Sequence, residues 1–281
     1  MLENLCANKI IGTYNFISAI CTKSEGGITM KKVLLSGCNG HMGKIVKRLI
    51  DEHPDFAVIC GFDLFTGQEL SYPVYDNVKD LASQIDVSFE RPDVIIDFSL
   101  PSGTSNILQI ALECEIPIVI ATTGINDIMG DICKVSKYVP VFQSANMSFE
   151  VALLHKVVQI IAPNLSGADI EITETHHRRK VDAPSGTALS LASAIDNALF
   201  NRKDIIYGRA GKRKASEIGI ASLRGGNVPG THTVHFFGDF ETLEITHTVH
   251  SRDVFAAGAI KAAEFLLQQS PGLYNMESLI K

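Results

Sequence analysis

KKVLLSGCNGHMGKIVKRLIDEH, residues Lys31 to His53, joins a short β-rich run to a helical stretch through a glycine turn. Val33, Leu34 and Leu35 are apolar without interruption, as a strand covered on both faces requires. Met42, Ile45, Val46, Leu49 and Ile50 then recur three and four residues apart, the stripe of an amphipathic helix. Between the two, Gly37, Gly40 and Gly43 give the spacing G-x-x-G-x-x-G, a relative of the dinucleotide fingerprint G-x-G-x-x-G with Asn39 in place of the second glycine. Asn39 tolerates left-handed backbone better than most residues. Free N–H groups and the helix dipole at such a turn hold a pyrophosphate, although tight strand-helix turns also need glycine without any ligand.

Working outward, FAVICGFD reads as a second strand that ends in Asp63, where a carboxylate accepts hydrogen bonds from the adenosine ribose hydroxyls. LFTGQEL behind it brings no arginine or lysine, so a 2′-phosphate would meet Asp63 without an offsetting charge. This favours NADH, while His41 and Lys44 leave NADPH open. DVIIDFS, IPIVIAT and VPVFQSA continue as apolar strands separated by the helix-like SGTSNILQIALEC and INDIMGDICKVSKY, the alternation of a buried parallel sheet. After Ser148 the texture changes. The helix FEVALLHKVVQIIA leads into alternating strands ADIEITETHH, EIGIASLRG, THTVHFF and ETLEITHTV, the last two joined at Gly238-Asp239 as a hairpin. The expected architecture is α/β: a dinucleotide-binding domain over 30–148 and a second α+β domain over 149–251 with a mixed, largely antiparallel sheet. The segment 252–281, with the helix VFAAGAIKAAEFLLQQ, is expected to return to the first domain.

Composition excludes several classes. The 281 residues are 46% hydrophobic and 20% charged with a formal net charge of -6, and neither a basic tail nor a long run of one sign is present. Nucleic acid is therefore not an expected partner. No apolar stretch is long enough for a membrane span. The six cysteines are scattered, form no CxxC pair and lie in the first half, which fits a reduced, cytoplasmic setting. Residues 1–29 read as an extension outside the fold. Met30 directly precedes the first strand, and Glu25 to Gly27 can be encoded by purine-rich codons like a bacterial ribosome-binding site, so translation is expected to start at Met30.

The densest chemistry lies in ETHHRRKVDAPSGTA, Glu174 to Ala188. On a strand, neighbours point to opposite faces, which puts Glu174 and His176 on one side and His177 on the other. Adjacent histidines so placed make a poor chelating pair. Neither HExxH nor cysteine spacing is present, so no metal is expected. Arg178, Arg179, Lys180 and Asp182 leave the strand as a polar loop, and PSGTALSLASAI begins a helix that Ser185 or Thr187 can cap. A strand end, cations and a helix N-terminus then converge, a setting for a small carboxylate-bearing molecule as much as for a solvated, capped loop.

The same stretch strongly resembles the hallmark E-x-H-H-x-x-K-x-D-A-P-S-G-T-A of the 4-hydroxy-tetrahydrodipicolinate reductase family, with every specified position met. GCNGHMG resembles that family's nucleotide loop, DFSLP (Asp97 to Pro101) and ATTG (Ala121 to Gly124) its loops over the nicotinamide, and SANMS (Ser144 to Ser148) its domain junction. The likeness runs from about Met30 to the C-terminal helix. It implies a Rossmann-type first domain, a homotetramer built through the second domain's sheet, and NAD(P)H-dependent reduction of a cyclic imine dicarboxylate to tetrahydrodipicolinate in lysine and diaminopimelate biosynthesis.

Residue by residue, the resemblance makes His176 the proton donor and Lys180 the lysine that grips a substrate carboxylate and assists protonation. His177, Ser185, Gly186, Thr187 and Thr123 become substrate contacts, with Arg252 a weaker one. Gly37, Asn39, Gly40, His41, Met42, Gly43, Asp63, Phe98, Ser99, Thr122, Thr123, Gly124, Ala145, Asn146 and Met147 become cofactor contacts. His41 departs from the Lys or Arg often found at its position. Arg178 and Arg179 are expected in solvent or at an interface, and His53, His155, His232, His235, His247 and His250 in structural or exposed places. Another two-domain amino-acid dehydrogenase would share the glycine loop without the His-Lys-Pro-Ser-Gly-Thr set. A non-catalytic dinucleotide sensor would keep Gly37, Gly40 and Asp63 and lose the proton donor.

Overall fold

A computed structural model of the chain describes residues 30–66, 70–87, 91–200 and 203–281. The expectations for residues 1–29 fall outside them.

The first domain runs β1 (Lys31–Ser36), α1 (His41–Asp51), β2 (Phe56–Phe62), β3 (Val74–Tyr75), α2 (Val78–Val87), β4 (Val94–Asp97), α3 (Pro101–Glu113), β5 (Ile118–Ile120), α4 (Met129–Val135) and β6 (Pro140–Gln143). Its strands pair in parallel in the order β12-β6-β5-β4-β1-β2-β3, with β12 (Gly272–Tyr274) contributed from the far end of the chain. Alternation along each strand feeds two apolar layers. Val33, Leu35, Ile96 and Phe142 belong to the layer on the α1 side, while Leu34, Ile95, Ile118 and Val141 pack against Ile107 and Ile110 of α3 and Ile132 of α4. The α1 side also takes in Ala256, Ala259, Ala263 and Leu266 of α7 (Asp253–Leu266). Small residues let α7 lie close. At Gly258 a Cβ would overlap the Met147 carbonyl.

The second sheet is built from β7 (Asp169–His176), β8 (Asp204–Tyr207), β9 (Glu217–Arg224), β10 (Gly230–Phe237) and β11 (Thr242–Val249), in the order β11-β10-β7-β9-β8. The β10–β11 and β10–β7 pairs are antiparallel, and β7–β9 and β9–β8 are parallel, so the sheet is mixed. One face is covered by α5 (Phe149–Asn164) and α6 (Gly186–Ala198), where Ile170, Ile172, Ile218, Ile220, Val234 and Phe236 meet Leu154, Val158, Leu191 and Ile195.

Among the described residues, β3, α2, β8, β12 and a 3₁₀ turn at Met276–Leu279 lie beyond what the sequence pattern showed. The three strands are two to four residues long and sit at sheet edges. Their pairing is set by a neighbouring strand and leaves little periodicity to read. INDIMGDICKVSKY is shorter than its pattern, a 3₁₀ turn at Asn126–Ile128 running into α4.

Candidate active site

The strand order of the first sheet reverses between β1 and β4, the place where open α/β sheets bind ligands at the carboxyl ends of their strands. A cavity of about 560 Å³ opens there, lined by Gly37, Asn39 and Gly40, by Phe62 to Phe65, and by Phe98 to Leu100 with Ser102 and Gly103. No side chain caps α1, which follows Gly40, or α3, which follows Leu100. Gly37 has φ +73, and a Cβ on it would lie 2.6 Å from the Phe98 carbonyl oxygen; a Cβ on Gly43 would overlap the Gly37 carbonyl. The glycines thus bring β1, α1 and the β4 loop into contact beside the uncapped first turns of α1 and α3. These features fit a dinucleotide pyrophosphate.

Asp63 stands at the cavity wall with both oxygens in use. Its Oδ2 accepts from the Asn39 N–H at 2.9 Å and its Oδ1 from the Phe65 N–H at 3.1 Å, while Asn39 Nδ2 donates to the Phe65 carbonyl. Asp63 therefore ties the glycine turn to the loop after β2. His41 and Lys44 are exposed on α1. The loops after β4 and β5 are pinned by buried Asp97, whose Oδ1 accepts from the Ser99 N–H at 3.1 Å and whose Oδ2 lies 2.6 Å from Thr104 Oγ1 and 3.0 Å from Thr122 Oγ1.

In the second sheet the helix-facing rows change character toward one end. Ile220, Ile172, Val234 and Ile245 form an apolar row; the next holds Ser222, Glu174, His232 and His247; beyond it His176 pairs with Arg224. Glu174 is fully buried and is the hub. Oε2 lies 2.5 Å from His176 Nδ1, Arg224 donates to both oxygens at 2.8 and 2.7 Å, and the Ser185 N–H donates to Oε1 at 3.1 Å. Burial alone would raise its pKa, but the hydrogen bonds from Arg224, Ser222, His176 and Ser185 outweigh it and hold the carboxyl at about 2. His176 is lowered from its ordinary value, by burial first, against the upward pull of Glu174. Its Nε2 faces Gly230, where a Cβ would come within 3.0 Å.

Lys180 Nζ lies 2.8 Å from Asp182 Oδ1, and Arg224 reaches the Asp182 carbonyl at 2.7 Å, so the loop from Lys180 is tied back to the same cluster. Ser185 caps α6 by accepting from the Ala188 N–H, and nothing lies within 4 Å of a Cβ placed on Gly186. Thr187 Oγ1 accepts from Asn146 Nδ2 at 3.3 Å, a hydrogen bond between the domain junction and α6.

Three expected contacts lie in buried surroundings. Ser185 is 2% exposed, with its N–H given to Glu174 and its Oγ engaged by Ala188 and His232, so its polar groups serve the cluster and the open positions of the turn are Gly186 and Thr187. Thr122 is buried in the Asp97 network, which leaves Thr123 and Gly124 as the exposed pair of that loop. Met147 is a core side chain under α7, whereas Ala145 is exposed and Asn146 half-buried. Met42 packs partly against the same core, and His177 is half-buried with an unpartnered Nδ1. Arg178 and Arg179 are exposed, and Arg252 is exposed where it precedes α7. Sequence reading missed Arg224. Its signal was phase, because in EIGIASLR it falls on the helix-facing side with Ile218 and Ile220 and so needs a buried acid. Among the described residues no group of three or more His, Cys, Asp or Glu side chains is arranged to hold a metal, and no helix is long and apolar enough to cross a membrane.

Fold and family model together define a class, the oxidoreductases that bind a pyridine nucleotide in a parallel-sheet domain. Within it the chain belongs to the dihydrodipicolinate reductase family: residues 31–147 match "Dihydrodipicolinate reductase, N-terminus" and residues 150–280 match "Dihydrodipicolinate reductase, C-terminus". The 4-hydroxy-tetrahydrodipicolinate reductase of Caldanaerobacter subterraneus subsp. tengcongensis is 44% identical over 256 residues, covering 90% of this chain and 99% of the relative. That of Clostridium novyi is 40% identical over 258 residues, covering 90% and 99%. Among solved structures, dipicolinate-bound dihydrodipicolinate reductase from Paenisporosarcina sp. TG-14 superposes with a TM-score of 0.74 at 21% identity, covering 90% of this chain and all of that one.

Proposed function

We propose that this protein uses NADH, and NADPH less well, to reduce the dihydrodipicolinate-type cyclic imine derived from 4-hydroxy-tetrahydrodipicolinate to tetrahydrodipicolinate, as a homotetramer in the cytoplasm. The observation that carries the reading is the hydrogen bond between Glu174 and His176, set beside Lys180 and the open turn at Gly186 and Thr187. A solved relative is described as dipicolinate-bound, and dipicolinate is a planar ring with two carboxylates. The same ligand class suits this cluster.

The bound dinucleotide supplies the hydride. The chain does the rest. Gly186 and Thr187 offer amides at a helix N-terminus to one carboxylate, and Lys180 exchanges Asp182 for the other. His177 and Thr123 border the substrate. Hydride addition to a conjugated imine leaves an electron pair on the ring, and a proton from His176 Nε2 completes the reduction. Glu174 holds Nδ1–H, so Nε2 is the nitrogen that exchanges. Burial lowers the pKa of His176 in the empty site, and the substrate's two negative charges favour its protonated form. The expected rate benefit of such a donor is about a hundred- to ten-thousand-fold.

The test is NADH oxidation by purified protein supplied with the condensation product of aspartate semialdehyde and pyruvate. Turnover that depends on this product is expected, faster with NADH than with NADPH. Absence of turnover with both nucleotides would overturn the proposal.

A further inference from the structure

One buried imidazole in this site has no task in the chemistry above. His232 lies on β10 beside Glu174 and is 4% exposed. Val234 and Phe236 occupy the same face further along the strand, and an apolar side chain would fill this place at less cost than an imidazole whose buried Nδ1 has no partner. Two contacts distinguish it. Its Nε2 shares a 2.9 Å hydrogen bond with Ser185 Oγ, and its ring meets that of His176 edge to face, centroids 5.1 Å apart at 73°. Ser185 in turn sets the first turn of α6 by capping Ala188 N–H.

We propose that His232 is a positioning residue that latches Ser185 to β10, holding the Gly186 and Thr187 amides at a fixed distance from His176. Proton donor and carboxylate grip then move as one unit. Glu174 makes the companion link, from His176 to the Ser185 N–H. The latch adds no competing charge beside the donor, since burial, and next the nearby His176, push the His232 imidazole down to about 4. The inference rests on the function proposed above.

The test compares His232→Gln, which keeps an amide at the reach of Nε2, with His232→Leu, which keeps only volume. Dipicolinate probes the carboxylate grip and NADH the other half of the site. In His232→Leu the KM for substrate and the dissociation constant of dipicolinate should each rise on the order of tenfold, the loss of one buried hydrogen bond, with NADH affinity unchanged and kcat within about threefold. His232→Gln should recover most of that loss. A folded His232→Leu with wild-type KM and dipicolinate affinity, or a Gln variant no better than Leu, would overturn the latch. Should His232→Leu not fold, Ser185→Ala removes the other end: His232→Gln must then leave dipicolinate affinity unchanged in the Ser185→Ala background, and a further loss there would overturn it. Dipicolinate binding separates the two ideas, because a wild-type protein without turnover contradicts the function while a variant series without the split contradicts only the latch.

Discussion

Nδ1 of His176 lies 2.5 Å from Oε2 of Glu174, and both terminal nitrogens of Arg224 close on the same carboxylate. His176 is therefore fixed from behind by a buried ion pair, on the rung where the helix-facing side of the second sheet turns from apolar to polar. Such a pair is costly to bury and costlier to break.

Glu174→Gln tests that arrangement. An amide cannot accept from His176 and both Arg224 nitrogens at once, so kcat should fall about a hundredfold. An Arg224 guanidinium left without its charge partner should lower stability by about 3–5 kcal/mol. Steady-state NADH oxidation and urea unfolding measure the two effects, and wild-type values in both would show that the pair is idle.

The same pair predicts an acid limit. Glu174 is held at about 2 against an ordinary 4.5, so its stabilising contribution is complete above pH 4.5 and is lost as the pH falls toward 2. At neutral pH it amounts to about 3 kcal/mol. Wild type and Glu174→Gln should therefore converge in urea stability as pH drops through that window, where a constant difference would contradict the linkage.

Two glycines separate folding from binding. At Gly43 a methyl group would overlap the Gly37 carbonyl, so Gly43→Ala should lose about 1–3 kcal/mol of stability together with NADH affinity. Gly186 has open space around it, so Gly186→Ala should unfold like wild type and yet raise the substrate KM by crowding the carboxylate. Thermal melts paired with KM values decide this, and a stability loss at Gly186 would refute the open turn.

Much of this was legible in the residues. The glycine turn between Val33–Leu35 and the α1 stripe specified the parallel-sheet domain, and strand alternation put Glu174 with His176 and turned His177 away. Arg224 showed only its phase and His232 no signal, because their pairing with Glu174 depends on β9 and β10 flanking β7, a strand order set by the whole sheet. The cap role of Ser185 shows in sequence, and the buried acceptor behind its N–H does not. Edge strands such as β12 borrow their structure from a neighbour, β6, more than a hundred residues away.

The proposed preference for NADH is tested at Asp63. Asp63→Asn removes the charge and keeps an acceptor for one of the two loop amides, so the NADPH to NADH ratio of kcat/KM should rise about three- to tenfold. An unchanged ratio would place discrimination elsewhere.

The most direct measurement of the central claim is the kcat of His176→Gln alongside its dissociation constant for NADH. With His176 as proton donor, kcat falls by about a hundredfold or more while NADH binding stays at the wild-type value. A variant that turns over at the wild-type rate would contradict the account.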